Sequence, residues 1–82
     1  MVRKYDDNYI DLGAINAVTS IEDTYYTQGN GRYVFLVVLN GFSIEFKNNS
    51  IKKIEALRDR LVNDWIEYIK NQKQGGFYGK SN

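Results

Sequence analysis

Two hydrophobic periods divide this chain. Residues 32–39, RYVFLVVL, are rich in β-branched and aromatic residues and apolar on both faces, the pattern of a strand covered on two sides. Asn40-Gly41 follows, the pair preferred in a two-residue type I′ hairpin turn because both positions there take positive φ. The next segment, FSIEFK, alternates: Phe42, Ile44 and Phe46 face one way, Ser43, Glu45 and Lys47 the other. A two-residue turn sets the register, placing Leu39 opposite Phe42, Val37 opposite Ile44 and Phe35 opposite Phe46 on one apolar face. On the reverse face Val38 meets Ser43, Leu36 meets Glu45 and Val34 meets Lys47.

Upstream, Ile15, Ala17, Thr19 and Ile21 alternate with Asn16, Val18, Ser20 and Glu22, the period of a half-buried strand. Gly29-Asn30-Gly31 suits a three-residue hairpin loop between this strand and the next. That register sets Ile21 opposite Leu39 and Tyr25 opposite Phe35 on the core face, with Tyr26 pointing away. Near the start, residues 2–5 and 9–12 flank the turn-forming Asp6-Asp7-Asn8 and predict a short hairpin. After Ser50, a suitable N-cap, Ile51, Ile54, Leu57, Leu61, Val62, Trp65, Ile66, Tyr68 and Ile69 recur at helical spacing. They cover an arc of about 180°, wider than the ~100° stripe that packing on one surface requires. Gly75-Gly76 is the expected helix stop, and residues 74–82 are expected to form a flexible tail. The prediction is an α+β domain over residues 1–73, an antiparallel sheet of four to five strands with one long C-terminal amphipathic helix packed on one face.

Composition narrows the function classes. The 82 residues include no histidine and no cysteine. Catalytic triads, thiol chemistry and imidazole or thiolate metal sites are therefore excluded, and neither enzymatic activity nor a metal or cofactor is expected. Glu45-Phe46-Lys47 resembles the Glu-x-Lys of a nuclease family, but that chemistry also needs an aspartate on the adjoining strand, and RYVFLVVL has none. The net charge of +1, with acids and bases interspersed, is not the basic face that duplex nucleic acid demands. The first ten residues lack an apolar signal-like run, and no apolar stretch approaches the ~18–20 residues of a membrane span. A cytoplasmic setting without membrane contact is expected. A chain this short buries only about 60–65% of its unfolded surface, so its core is thin and association with further copies is a natural supplement.

The run YIDLGAINAVTSIE, then a long apolar strand ending in Asn-Gly, then SIEF and an amphipathic helix, resembles a class of small uncharacterised bacterial and phage proteins. These have a β-sheet body and a terminal helix, similar in layout to pleckstrin-homology-type folds. The resemblance spans roughly residues 9–69. It implies a fold and a phage or mobile-element origin, with the host cytoplasm as compartment, and assigns no site.

Several residues are candidates for binding. Arg58 falls inside the apolar arc of the helix. Either it lays its stem along the sheet and pairs with Glu55, or it grips an anion or a partner carboxylate. Tyr25, Tyr26, Gln28, Asn30 and Arg32 form a polar and aromatic cluster on a glycine-bearing loop, and Trp65 adds an aromatic on the helix; such groups stack on flat ligands. The expected function is a small non-enzymatic binding protein that sequesters a small anionic, nucleotide-like ligand or blocks a host protein. The alternatives are a structural homo-oligomeric subunit and a single-stranded nucleic-acid binder. A homodimer is the expected assembly, formed through Val34, Leu36 and Val38 on the reverse face and through Ile51, Val62, Ile66 and Ile69 on the helix. The competing arrangement folds the N-terminal hairpin over that reverse face.

Overall fold

A computed structural model describes residues 1–25 and 31–81, and the helix side chains through residue 72. Antiparallel strands β1 (Val2–Tyr5) and β2 (Asn8–Asp11) form a two-stranded sheet in which Tyr5 lies opposite Asn8. Asp6 makes this turn with a φ of 52°, a left-handed conformation that Asp tolerates better than most residues. A 3-10 turn, Leu12–Ala14, leads into a second, four-stranded sheet. At its centre lies β5 (Tyr33–Leu39). On one side β5 pairs with β6 (Phe42–Asn48); on the other it pairs with β3 (Ile15–Val18) and then, further along the same edge, with β4 (Glu22–Asp23). One helix, α1, spans Ile51–Ser81. The chain is thus α+β, with two antiparallel sheets and a long C-terminal helix.

The β5–β6 register agrees with the hydrophobic pattern at every pair from Val34–Lys47 to Leu39–Phe42. The turn between them differs from expectation. Gly41 alone takes a positive φ, 85°, the pattern of a type II turn and not of type I′. Asn40 instead receives a hydrogen bond on Oδ1 from the Asn16 amide, at 3.0 Å.

The upstream strand departs further. Ile15 pairs with Leu39 and Glu22 with Val34, so the expected pairing of Ile21 with Leu39 is replaced by one in which the chain leaves β5 earlier. Asp23 lies opposite Tyr33, which makes the connection longer than a three-residue loop. The ladder shifts between Ile15 and Ala17. Such a bulge adds one residue to one strand and reverses the alternation beyond it. Val18 therefore packs against the core while Ala17 is exposed, the reverse of the simple alternation.

The helix begins where expected. Ser50 Oγ accepts the Lys53 N–H at 3.3 Å and Ser50 O accepts the Ile54 N–H at 3.1 Å, which satisfies donors of the first turn. The helix continues past Gly75-Gly76, the expected stop. Each helical glycine is less favourable than alanine by about 1 kcal/mol, but none imposes a steric block.

The core joins both sheets, the 3-10 turn and the helix. Tyr5, Ile10 and Leu12 from the N-terminal hairpin and its turn pack with Ile15, Phe35, Val37, Leu39, Phe46, Ile54 and Leu61. The hairpin therefore completes the core face and does not cover the reverse face. Tyr5 is fully buried and donates its hydroxyl to Asp64 of α1 at 2.7 Å. Burial, reinforced by that carboxylate, holds the Tyr5 hydroxyl well above the usual tyrosine pKa. The Arg60 guanidinium lies 4.8 Å from the Tyr5 ring centre. Gly13 is a point of close approach, since an added Cβ would lie 2.7 Å from the Tyr68 hydroxyl. Phe35 and Phe46 stack with ring centres 5.1 Å apart, worth about 0.5–1.5 kcal/mol beyond their burial.

Candidate functional site

The reverse face of the four-stranded sheet carries a groove of about 300 Å³, lined by Thr19, Ser20, Glu22, Thr24, Val34, Phe35, Leu36 and Glu45. A break in the edge strand creates it. Between β3 and β4, residues 19–21 leave the regular strand conformation. Thr19 holds the last rung. Its N–H donates to Leu36 O at 2.9 Å, and its side-chain Oγ1, in place of its carbonyl, accepts the Leu36 N–H at 2.8 Å. The Thr19 carbonyl is thereby released from the ladder, and Arg58 Nε donates to it from the helix at 2.7 Å.

This contact defines the role of Arg58. Its Nε bond to the Thr19 carbonyl clasps the strand break to the helix. A hydrogen bond with a charged donor contributes about 1.5–3 kcal/mol. Arg58→Ala is expected to destabilise the protein by that amount in urea unfolding, because a partly buried carbonyl loses its donor.

At the β4 end of the groove, Arg32 forms a two-point fork with Asp23, Nε to Oδ1 at 2.9 Å and Nη2 to Oδ2 at 3.0 Å. The Tyr33 and Tyr25 ring centres lie 5.1 and 6.0 Å from the same guanidinium. Asp23 Oδ1 also accepts the Tyr25 N–H at 2.8 Å. The fork, foremost, holds the Asp23 carboxyl below the usual carboxylate range and pushes the Arg32 guanidinium up. Thr24 N–H donates to Arg32 O at 2.8 Å, closing the base of the following loop. Tyr25 has a φ of 61° and is 82% exposed. It is thus on the surface and not, as expected, opposite Phe35 in the core; the earlier departure of the strand from β5 carries it there.

The predicted binding residues are therefore dispersed. Arg32 and Tyr25 come together, both anchored on Asp23. Arg58 belongs to the strand break, and Trp65 packs against the core from the helix. Tyr26, Gln28 and Asn30 lie outside the described residues. On the expected interface, Val34, Leu36 and Val38 are half-buried, whereas Ile66 and Ile69 are 44% and 38% exposed. Glu45 and Lys47 form an ion pair at 3.2 Å on the reverse face. Among the described residues, no three carboxylates gather where they could hold a metal ion, and no helix is long and apolar enough to cross a membrane. Thr19 and Asp23, which organise the site, were not singled out by pattern, since threonine in a strand and aspartate at a turn are ordinary there. No known family model, curated protein or solved structure matches the chain.

Proposed function

We propose that this chain is a non-enzymatic binding protein whose reverse sheet face engages a protein segment bearing a basic residue. The observation that carries this reading is the composition of the groove. Hydroxyls of Thr19, Ser20 and Thr24 and the carboxylates of Glu22 and of Glu45, the latter paired with Lys47 at 3.2 Å, surround the aliphatic side chains of Val34 and Leu36, with no Lys or Arg among the lining residues. Alternating apolar contact and acceptors suit a peptide side chain with an apolar stem and a cationic head. The exposed Tyr25, next in sequence to the lining residue Thr24, adds an aromatic of the kind enriched at protein interfaces. Sequestration of a small anion is the weaker branch of the sequence-based expectation, because Asp23 and the Thr19 carbonyl already engage both guanidinium groups, Arg32 and Arg58.

The test is affinity capture from the native host with the wild-type chain and with folded Leu36→Glu and Glu22→Lys variants, followed by measurement of affinity for the captured protein. A partner that both variants bind at least tenfold more weakly is the expected result, as removal of a central interface contact commonly produces. Equal binding by all three chains overturns the proposal. So does multiple turnover of a substrate, or retention of a nucleotide with Arg32 as its essential contact.

A further inference from the structure

A second surface, which shares Glu45 with the groove, carries a separate inference. Strand β6 pairs with β5 along its whole length, Phe42–Asn48, and no strand pairs with its outer edge among the described residues. Proteins commonly blunt such edges with proline, bulges, inward charges or charged edge side chains, and here Glu45 and Lys47 supply charge of both signs. The chain has no proline, and the β5–β6 register runs without a shift.

The outward groups follow from the turn. Residues flanking a two-residue hairpin turn exchange both backbone hydrogen bonds, and bonded and non-bonded pairs then alternate. Phe42, Ile44 and Phe46 therefore direct their backbone groups toward β5, while Ser43, Glu45 and Lys47 direct theirs outward. The side chains of these three residues are exposed on the reverse face.

We infer that this edge pairs with the same edge of a second copy of the chain, antiparallel and centred on Phe46. Charge selects the centre. A two-fold pairing centred on Glu45 sets two carboxylates against each other, and one centred on Ile44 carries Lys47 past the strand to Gly41. Centring on Phe46 places Glu45 of each copy opposite Lys47 of the other. The ion pair within one strand, 3.2 Å, then becomes a four-charge square of alternating sign. Opposite charges directly across antiparallel strands stabilise the pair and like charges destabilise it. The β5–β6 sheets of the two copies join into one continuous sheet, with both grooves on the same face.

Sedimentation equilibrium at low salt, from micromolar to millimolar protein, tests the pairing. The wild-type chain is expected to dimerise. Glu45→Lys and Lys47→Glu are each expected to weaken the dimer by about tenfold, because symmetry repeats every like-charge contact. The double swap Glu45→Lys/Lys47→Glu is expected to restore it to within about threefold, since it recreates the alternating square. Hydrogen exchange supplies a readout that needs no substitution: dimerisation is expected to slow the Glu45 and Lys47 amides, whereas Ser43 faces the partner beyond the end of its strand and is expected to change little. A wild-type monomer at every concentration overturns the inference. So does a dimer indifferent to either single reversal, a double swap as weak as the singles, or a dimer whose β6 amides exchange as in the monomer. A dimer dissociated by Leu36→Glu but indifferent to the charge reversals assigns the contact to the reverse face and overturns the edge pairing.

Discussion

Tyr5→Ala is expected to destabilise the protein by about 3–5 kcal/mol, the range for removing a buried aromatic side chain. Tyr5 has no accessible surface, and its hydroxyl reaches Asp64 at 2.7 Å across 59 residues of sequence. The ring sits where the N-terminal hairpin meets the helix, with Arg60 on its face. Truncation removes packing from both elements and strands the Asp64 carboxylate without its buried donor. Tyr5→Phe retains the ring and loses only the charge-assisted bond, so about 1.5–3 kcal/mol is expected. Urea unfolding of both variants checks the ordering, and an alanine variant no less stable than the phenylalanine variant refutes it. Amide exchange in β1 and β2 should accelerate in the alanine variant, since Tyr5 is one of the buried residues that tie the hairpin to the helix.

Phe35→Ala is expected to be comparably severe, about 3–5 kcal/mol. Phe35 occupies the middle of the central strand, is nearly inaccessible, and stacks on Phe46 at 5.1 Å. Phe35→Leu preserves most of the volume and should retain most of the stability. Thermal unfolding separates the two variants. If Phe35→Ala melts within a few degrees of the wild type, the core is not organised around this pair.

Legibility in the sequence followed the strength of local constraints. The β5–β6 register could be read because a two-residue turn and a period of two restrict it to a single solution. Ser50 and the helical spacing of Ile54, Leu57 and Leu61 were equally local. The strand upstream was misread because a bulge at Asn16 and a break at Thr19 leave no trace in hydrophobicity. The bulge reverses which residues face inward, and the break turns one expected strand into two. The site was less legible still. Arg58 stood out as a cation within an apolar arc, yet its partner is a carbonyl 39 residues away. No side-chain pattern announces a carbonyl that leaves its ladder. The Arg32–Asp23 fork is of the same kind, its two members being separated by a connection whose length determines which residues meet.

That fork has an evolutionary consequence. The β4–β5 connection is fastened at its base by Asp23, Arg32 and the bond from Thr24 N–H to Arg32 O, so the sheet pairing does not depend on how many residues lie beyond the fastening. Closing a longer loop costs only about 0.6 kcal/mol for each doubling of its length. Lengthening the connection between Tyr25 and Gly31 is therefore expected to cost the fold little, and its length can vary between related chains without changing the pairing of β4 with β5.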